Sequence, residues 1–240
     1  MSSKRAGIIA LIVFALVGAG LGVFAFQKQH QAPPKATDGG SVPVYTYAPD
    51  KRVRLVVYGD SVSQGNAQSF ATGDFGDTSW PFYLKGSDVK FVGGDARGGL
   101  ITGDVLKEQI GSDIKTDAVL FELGTNDRRR QVLHTDFVKN IEAIVKKRGY
   151  KPEQVVLMTP GPMPGDEVAS AAEWNAETEA AAKAHGWKLI DPWSRLRGAD
   201  GTYSDPNLFR DAIHPNSKGT KILAGNIVKE LERVGFRPKK

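Results

Sequence analysis

Five short apolar runs, separated by longer amphipathic stretches, occur after residue 51 of this chain. They are VRLVVY (53–58), VKFVG (89–93), AVLFEL (118–123), QVVLMT (154–159) and KLID (188–191). Runs of this length, rich in branched and aromatic residues and lacking strict alternation, read as strands buried on both faces. The intervening segments 101–110, 136–148 and 168–185, and a final one at 217–234, read as helices. In the last, Ile222, Leu223, Ile227, Val228, Leu231 and Val234 recur at helical spacing, with Ser217 as the expected N-cap. Alternating strands and helices predict an α/β domain with a mostly parallel five-stranded sheet covered on both faces.

The amino-terminal part has a different texture. Residues 6–26, AGIIALIVFALVGAGLGVFAF, carry no charge. A helix of that length, rising about 1.5 Å per residue, reaches across a hydrocarbon core of about 30 Å. Lys4 and Arg5 precede it on a leader of residues 1–5, which places the amino terminus in the cytoplasm and the remainder outside. The expectation is a transmembrane signal anchor. A cleaved secretory signal ending near Val23-Phe24-Ala25 is the alternative, although the run exceeds the usual signal core of about 7–15 residues. Either way the domain is exported. Residues 27–49, rich in proline, glycine and polar residues, read as a flexible tether, and residues 50–240 as the folded domain.

Composition removes several classes of function. The chain has no cysteine, hence no disulfide, no thiolate nucleophile and no cysteine-ligated metal site. Of the net charge of +5, residues before Lys51 hold +2, from Lys4, Arg5, Lys28 and Lys35 against Asp38 and Asp50, leaving +3. A domain so mildly basic is not expected to bind nucleic acid.

Ligands of a parallel sheet bind at the carboxyl ends of its strands. The segments that should gather there are GDSVSQG, GDARGGLITGD, GTNDRRR and PGPMPGDE, joined by RDAIHPNSKG before the last helix. Serine becomes a nucleophile only when a base removes its proton, and histidine suits that task near neutrality. His30 lies in the tether, His134 at a helix start, and His185 near a helix end. His214 sits in a loop with Asp211 three residues before it, so a turn lets Asp211 bond one ring nitrogen while the other faces Ser61. Alone, Asp-x-x-His more often reads as a capping or ion-pair pattern; beside a strand ending in Gly-Asp-Ser it completes a triad.

Such a nucleophile needs donors for the oxyanion of its tetrahedral intermediate. Asn126, after the third strand, either caps a turn or points its amide into the cleft. The Gly98-Gly99 pair offers an unobstructed backbone N–H, and the N–H of Ser61 at a helix start is a third donor.

These blocks resemble those of the GDSL or SGNH hydrolase superfamily: YGDSVSQG the first, ARGGLITGDVL the second, ELGTND the third and DAIHPN the last. The resemblance covers about residues 53–235 and keeps block order. It implies a three-layer α/β/α, flavodoxin-like fold and hydrolysis of esters through an acyl-enzyme, with no metal or cofactor. It makes Ser61 the nucleophile, His214 the base and Asp211 its orienting partner. Asn126 and Gly99 become oxyanion donors, with Gly98 the alternative to Gly99. The second block departs from the family's asparagine-containing form, Gly94 standing about where that residue would be. SWPFYL (79–84) looks like the family's short Trp-Pro helix, a packing element.

For the substrate, Arg128, Arg129 and Arg130 directly follow the third block and either rim the cleft, favouring an anionic ester, or form a solvated helix start. The sequence shows no broad apolar lid of the kind a lipase uses. The expected substrate is a small-molecule or glycan ester, in an exported setting a short O-acyl group on a cell-envelope glycan or glycolipid. An O-acyltransferase with the same triad and a non-catalytic envelope-binding module are the alternatives. The expected partner is the membrane, through the amino-terminal helix, and the expected state a monomer.

Overall fold

The computed structural model describes residues 50–108, 110, 114–163 and 168–239. The expected anchor at 6–26 and tether at 27–49 lie outside the described residues. Among those residues, no helix is long and apolar enough to cross a membrane.

Each apolar run forms a strand: β1 (Val53–Gly59), β2 (Val89–Ala96), β3 (Ala118–Glu122), β4 (Val155–Met158) and β5 (Lys188–Ile190). They pair in the order β2-β1-β3-β4-β5, and every pairing is parallel. This is the flavodoxin-like order. Full burial holds for β3, β4 and all of β1 except the half-buried Arg54, but not for the edges, where Lys90 of β2 is exposed and Lys188 and Leu189 of β5 are half-buried. An edge strand has one neighbour, so its flank meets solvent.

The helices are α1 (Ser61–Gln64), α2 (Thr102–Lys107), α3 (Thr125–Arg129), α4 (His134–Arg148), α5 (Val168–His185) and α6 (Ser217–Arg233). Successive β1 side chains enter opposite cores. Leu55 and Val57 pack with Trp80, Leu84 and the α6 residues Leu223, Ile227 and Leu231. Val56 and Tyr58 pack with Val105 of α2, Phe137 and Ile141 of α4, and Trp174 of α5. The sheet thus lies between two helical layers. Trp80–Leu84 forms a 3-10 turn, and Trp80 is fully buried, as packing requires.

Two local expectations are corrected. The N-cap of α6 is Asn216, whose side chain accepts from the N–H groups of Lys218 and Gly219, while Ser217 is the first residue of the helix and its hydroxyl donates to Asp77 Oδ2 at 2.6 Å. The helix expected over 101–110 runs only from Thr102 to Lys107.

Beyond Leu55 the pairing of β1 with β2 slips by one residue, so that Val56 meets Gly93 and Val57 meets Gly94. Such a bulge re-aims the strand end beyond it. Gly94 has φ +130°, and a Cβ there would run into the Val57 carbonyl oxygen, so the position holds no side chain.

Candidate active site

The order of strands reverses between β1 and β3, and at that switch point the carboxyl ends open a crevice. β1 ends at Gly59; Asp60 caps α1, its side chain accepting from Val62 N–H at 2.9 Å, and Ser61 is the first residue of the helix. A Cβ at Gly59 would run into the Ser63 side chain, so only glycine lets the turn fold this closely.

His214 Nε2 stands 2.8 Å from Ser61 Oγ. Its Nδ1 lies 2.9 Å from both Asp211 oxygens, and Asp211 Oδ1 also accepts from the N–H groups of Ile213 and His214, each at 2.8 Å. Partial burial opposes ionisation of Asp211, but these N–H donors and the His214 ring outweigh it and hold its pKa at about 2. Asp211 is therefore a fixed anion that selects the ring tautomer carrying hydrogen on Nδ1 and leaves Nε2 free to accept. Tyr203, which sequence reasoning missed, secures this loop: its hydroxyl reaches the carbonyl oxygens of Pro162 (3.0 Å) and Ile213.

The other two described histidines are occupied elsewhere. His134 Nε2 lies 3.0 Å from Thr178 Oγ1, and its ring meets Trp174 edge-on. His185 stacks on Trp187 and faces Glu142.

Gly99, Asn126, Arg129 and Arg130 line one depression of about 270 Å³. The two glycines of the second block differ in what their N–H groups do. Gly98 donates to Gln64 Oε1 at 2.7 Å, whereas the N–H of Gly99 meets no acceptor among the described residues, nor does that of Ser61. Asn126 is buried, and its amide donates to Asp60 Oδ2 and to Leu100 O, both at 3.2 Å.

The arginine run divides. Arg129 and Arg130 border the depression beside Asn126; Arg130 is 3.8 Å from Asp104, and Arg129 has no ion pair among the described residues. Arg128 borders two other depressions, one with Pro160, Pro162 and Arg197, the other with Trp174 and Glu177. No group of three or more histidine or acidic residues suited to a metal occurs among the described residues.

Sequence reasoning also missed the carboxyl groups beneath the site. Glu122, at the end of β3, accepts through Oε2 from Asp60 N (3.2 Å), Ser63 N (3.2 Å) and Ser63 Oγ (2.7 Å). Asp127 accepts from the Thr102 hydroxyl at 2.6 Å, tying α3 to the start of α2. A buried acid inside ELGTND was the available signal.

A hydroxyl on a strand-to-helix turn, a ring nitrogen against it and a depression lined by donors make up an α/β ester hydrolase. The profile of the GDSL-like Lipase/Acylhydrolase family matches residues 57–222, and the chain belongs to that family. It is a carboxylic ester hydrolase by that membership. Solved structures share the fold. A protein described as lipolytic and of the G-D-S-L family, from Desulfitobacterium hafniense DCB-2, superposes with a TM-score of 0.61 at 22% identity over 75% of this chain and 100% of its own. The acetylxylan esterase Axe2 of Geobacillus stearothermophilus gives 0.58 at 21% identity, covering 77% of this chain and 95% of its own. The esterase EstA of Pseudoalteromonas sp. gives 0.55 at 20% identity, covering 75% and 97%. A search of curated proteins returned no match.

Proposed function

We propose that this protein is an exported, membrane-tethered serine esterase that removes short O-acyl groups from a cell-envelope glycan or glycolipid. The observation that carries the chemistry is the 2.8 Å approach of His214 Nε2 to Ser61 Oγ, with Asp211 behind the ring. His214 takes the Ser61 proton as the oxygen attacks the ester carbonyl. The oxyanion lies among the N–H groups of Ser61 and Gly99 and the Asn126 amide. Collapse expels the alcohol, protonated by His214, and leaves an acyl-serine. Water, activated by the same ring, then releases the acid.

Arg129 and Arg130 beside the oxyanion donors favour an ester bearing an anionic group. Export and tethering are supported by the uncharged run 6–26 behind Lys4 and Arg5. The acetylxylan esterase with the same fold is a precedent for glycan-borne acetyl groups on this scaffold.

The test is hydrolysis of p-nitrophenyl esters from acetate to octanoate by the detergent-solubilised chain and its Ser61→Ala variant. Turnover that falls with acyl length and vanishes in a folded Ser61→Ala supports the reading. Turnover that survives the substitution sinks it.

A further inference from the structure

Asp60, Glu122 and Asp127 lie buried directly behind Ser61, and none makes an ion pair with a cation among the described residues. Asp127 has its own partners in the N–H and hydroxyl of Thr102. Asp60 and Glu122 are different, because Glu122 Oε2 comes up against the Asp60 backbone, accepting its N–H at 3.2 Å, and brings a second buried carboxyl group beside the first. Two neighbouring carboxylates, buried and without a cation, do not both stay ionised, so one of them keeps a proton. Burial pushes both pKa values above the usual carboxylate range, and the neighbouring Asp60 charge raises Glu122 further. The pair therefore holds one proton between its two carboxyl groups.

The pair touches both halves of the site. Glu122 Oε2 receives the Asp60 and Ser63 N–H groups, which flank Ser61 in sequence, and the Ser63 hydroxyl. Trp80 Nε1 donates to Ser63 Oγ at 2.8 Å, which directs the hydroxyl hydrogen toward Glu122. Asp60 Oδ1 caps Val62, and Oδ2 takes one hydrogen of the Asn126 amide. The other amide hydrogen rests on Leu100 O, next in the chain to Gly99. That second hydrogen is the one an oxyanion against Gly99 would take over, while Asp60 keeps the amide plane fixed.

We propose that Asp60 and Glu122 share one proton and act together as a positioning device, holding the Ser61 turn and the Asn126 amide in register. The proposal rests on the esterase reading above. Losing the proton sets two uncompensated charges against each other inside the protein, a separation that moves both the turn and the amide. The other charged groups facing the pair are Asp127 on α3, Asp104 beyond it on α2, and Asp211 with His214 across Ser61; Asp127 adds repulsion, Arg130 answers Asp104 at 3.8 Å, and among the described residues no cation forms an ion pair with Asp60 or Glu122.

The test is the pH profile of kcat and KM on a neutral ester for the full chain, Glu122→Gln and Asp60→Asn. Glutamine reproduces protonated Glu122 at every pH, accepting through its oxygen and donating to Asp60. Glu122→Gln should keep kcat within about threefold at neutral pH and lose the reversible alkaline fall of the wild type. Asp60→Asn sets an amide against the Asn126 amide and should lower kcat by about tenfold or more, with KM little changed. A wild-type alkaline limb retained in Glu122→Gln, or wild-type kcat in Asp60→Asn, overturns the proposal. If Glu122→Gln does not fold, infrared spectroscopy of the wild type at mildly alkaline pH decides: the carbonyl stretch of a protonated buried carboxyl supports the proposal, and its absence overturns it. Wild-type protein inactive on every ester, yet showing that band, would sink the esterase reading and leave the shared proton standing.

Discussion

His214 Nε2 lies 2.8 Å from the hydroxyl of Ser61, a residue 153 positions earlier in the chain, while its Nδ1 is gripped by Asp211 three positions away. The ring is oriented locally and used at long range. Removing either end of the contact should be equally damaging. Ser61→Ala and His214→Ala should each lower kcat by about 1,000-fold or more, and the double variant should be little worse than either single one. Steady-state kinetics on p-nitrophenyl acetate checks this; additive losses would mean that the two residues do not act as a unit.

Asp211 keeps its charge across the pH range in which an esterase is assayed. Because its pKa is held at about 2, it is ionised above that pH and loses its charge only as pH falls through it. An acid limb in kcat/KM well above pH 2 is therefore not the titration of Asp211. Asp211→Asn keeps an oxygen for the Ile213 and His214 N–H groups but removes the negative charge that favours the imidazolium. The plateau of kcat should drop by about 100-fold or more. An unchanged plateau would show that the Asp211 charge does not act on the ring.

Gly98 and Gly99 should respond differently to alanine. Gly99 has φ +75°, and a Cβ would come 3.2 Å from Arg130 Nη2, so alanine there strains the backbone that aims the free N–H. The left-handed conformation costs a non-glycine residue about 1–2 kcal/mol, enough to displace the donor. Gly99→Ala should lower kcat by about tenfold or more, whereas Gly98→Ala, whose N–H is spent on Gln64, should stay within about threefold. The reverse order would exchange their roles.

Arg129 and Arg130 should set charge preference without Arg128. In the double variant Arg129→Ala/Arg130→Ala, KM should rise severalfold for a hemisuccinate ester and remain nearly constant for an acetate. Arg128→Ala, altering a residue in separate depressions, should leave both constants close to wild type. Equal effects on the two esters would remove the anion preference.

The two glycines also mark where sequence reading stops. That GDARGGL offers an N–H donor follows from its composition, because glycine leaves the backbone open. Which N–H is free depends on Gln64, which comes across from α1 to take that of Gly98. The α6 cap is a similar case. Both Asn216 and Ser217 suit an N-cap; Asn216 takes that place, and the Ser217 hydroxyl is used instead on Asp77, 140 residues away.

Strand–helix alternation, the parallel sheet, Ser61 at the end of β1 and the Asp211–His214 turn were all legible in the chain itself. They depend on side-chain periodicity and on residues a few positions apart, and such local preferences act before any distant contact forms. The bulge at Gly93, the parting of Arg128 from Arg129 and Arg130, the Tyr203 brace and the burial of Glu122 against Asp60 were decided by tertiary structure alone. Each depends on which distant groups arrive in the same few ångströms, and there a group's charge, donor capacity and usable space are set by its neighbours rather than by its position in the sequence.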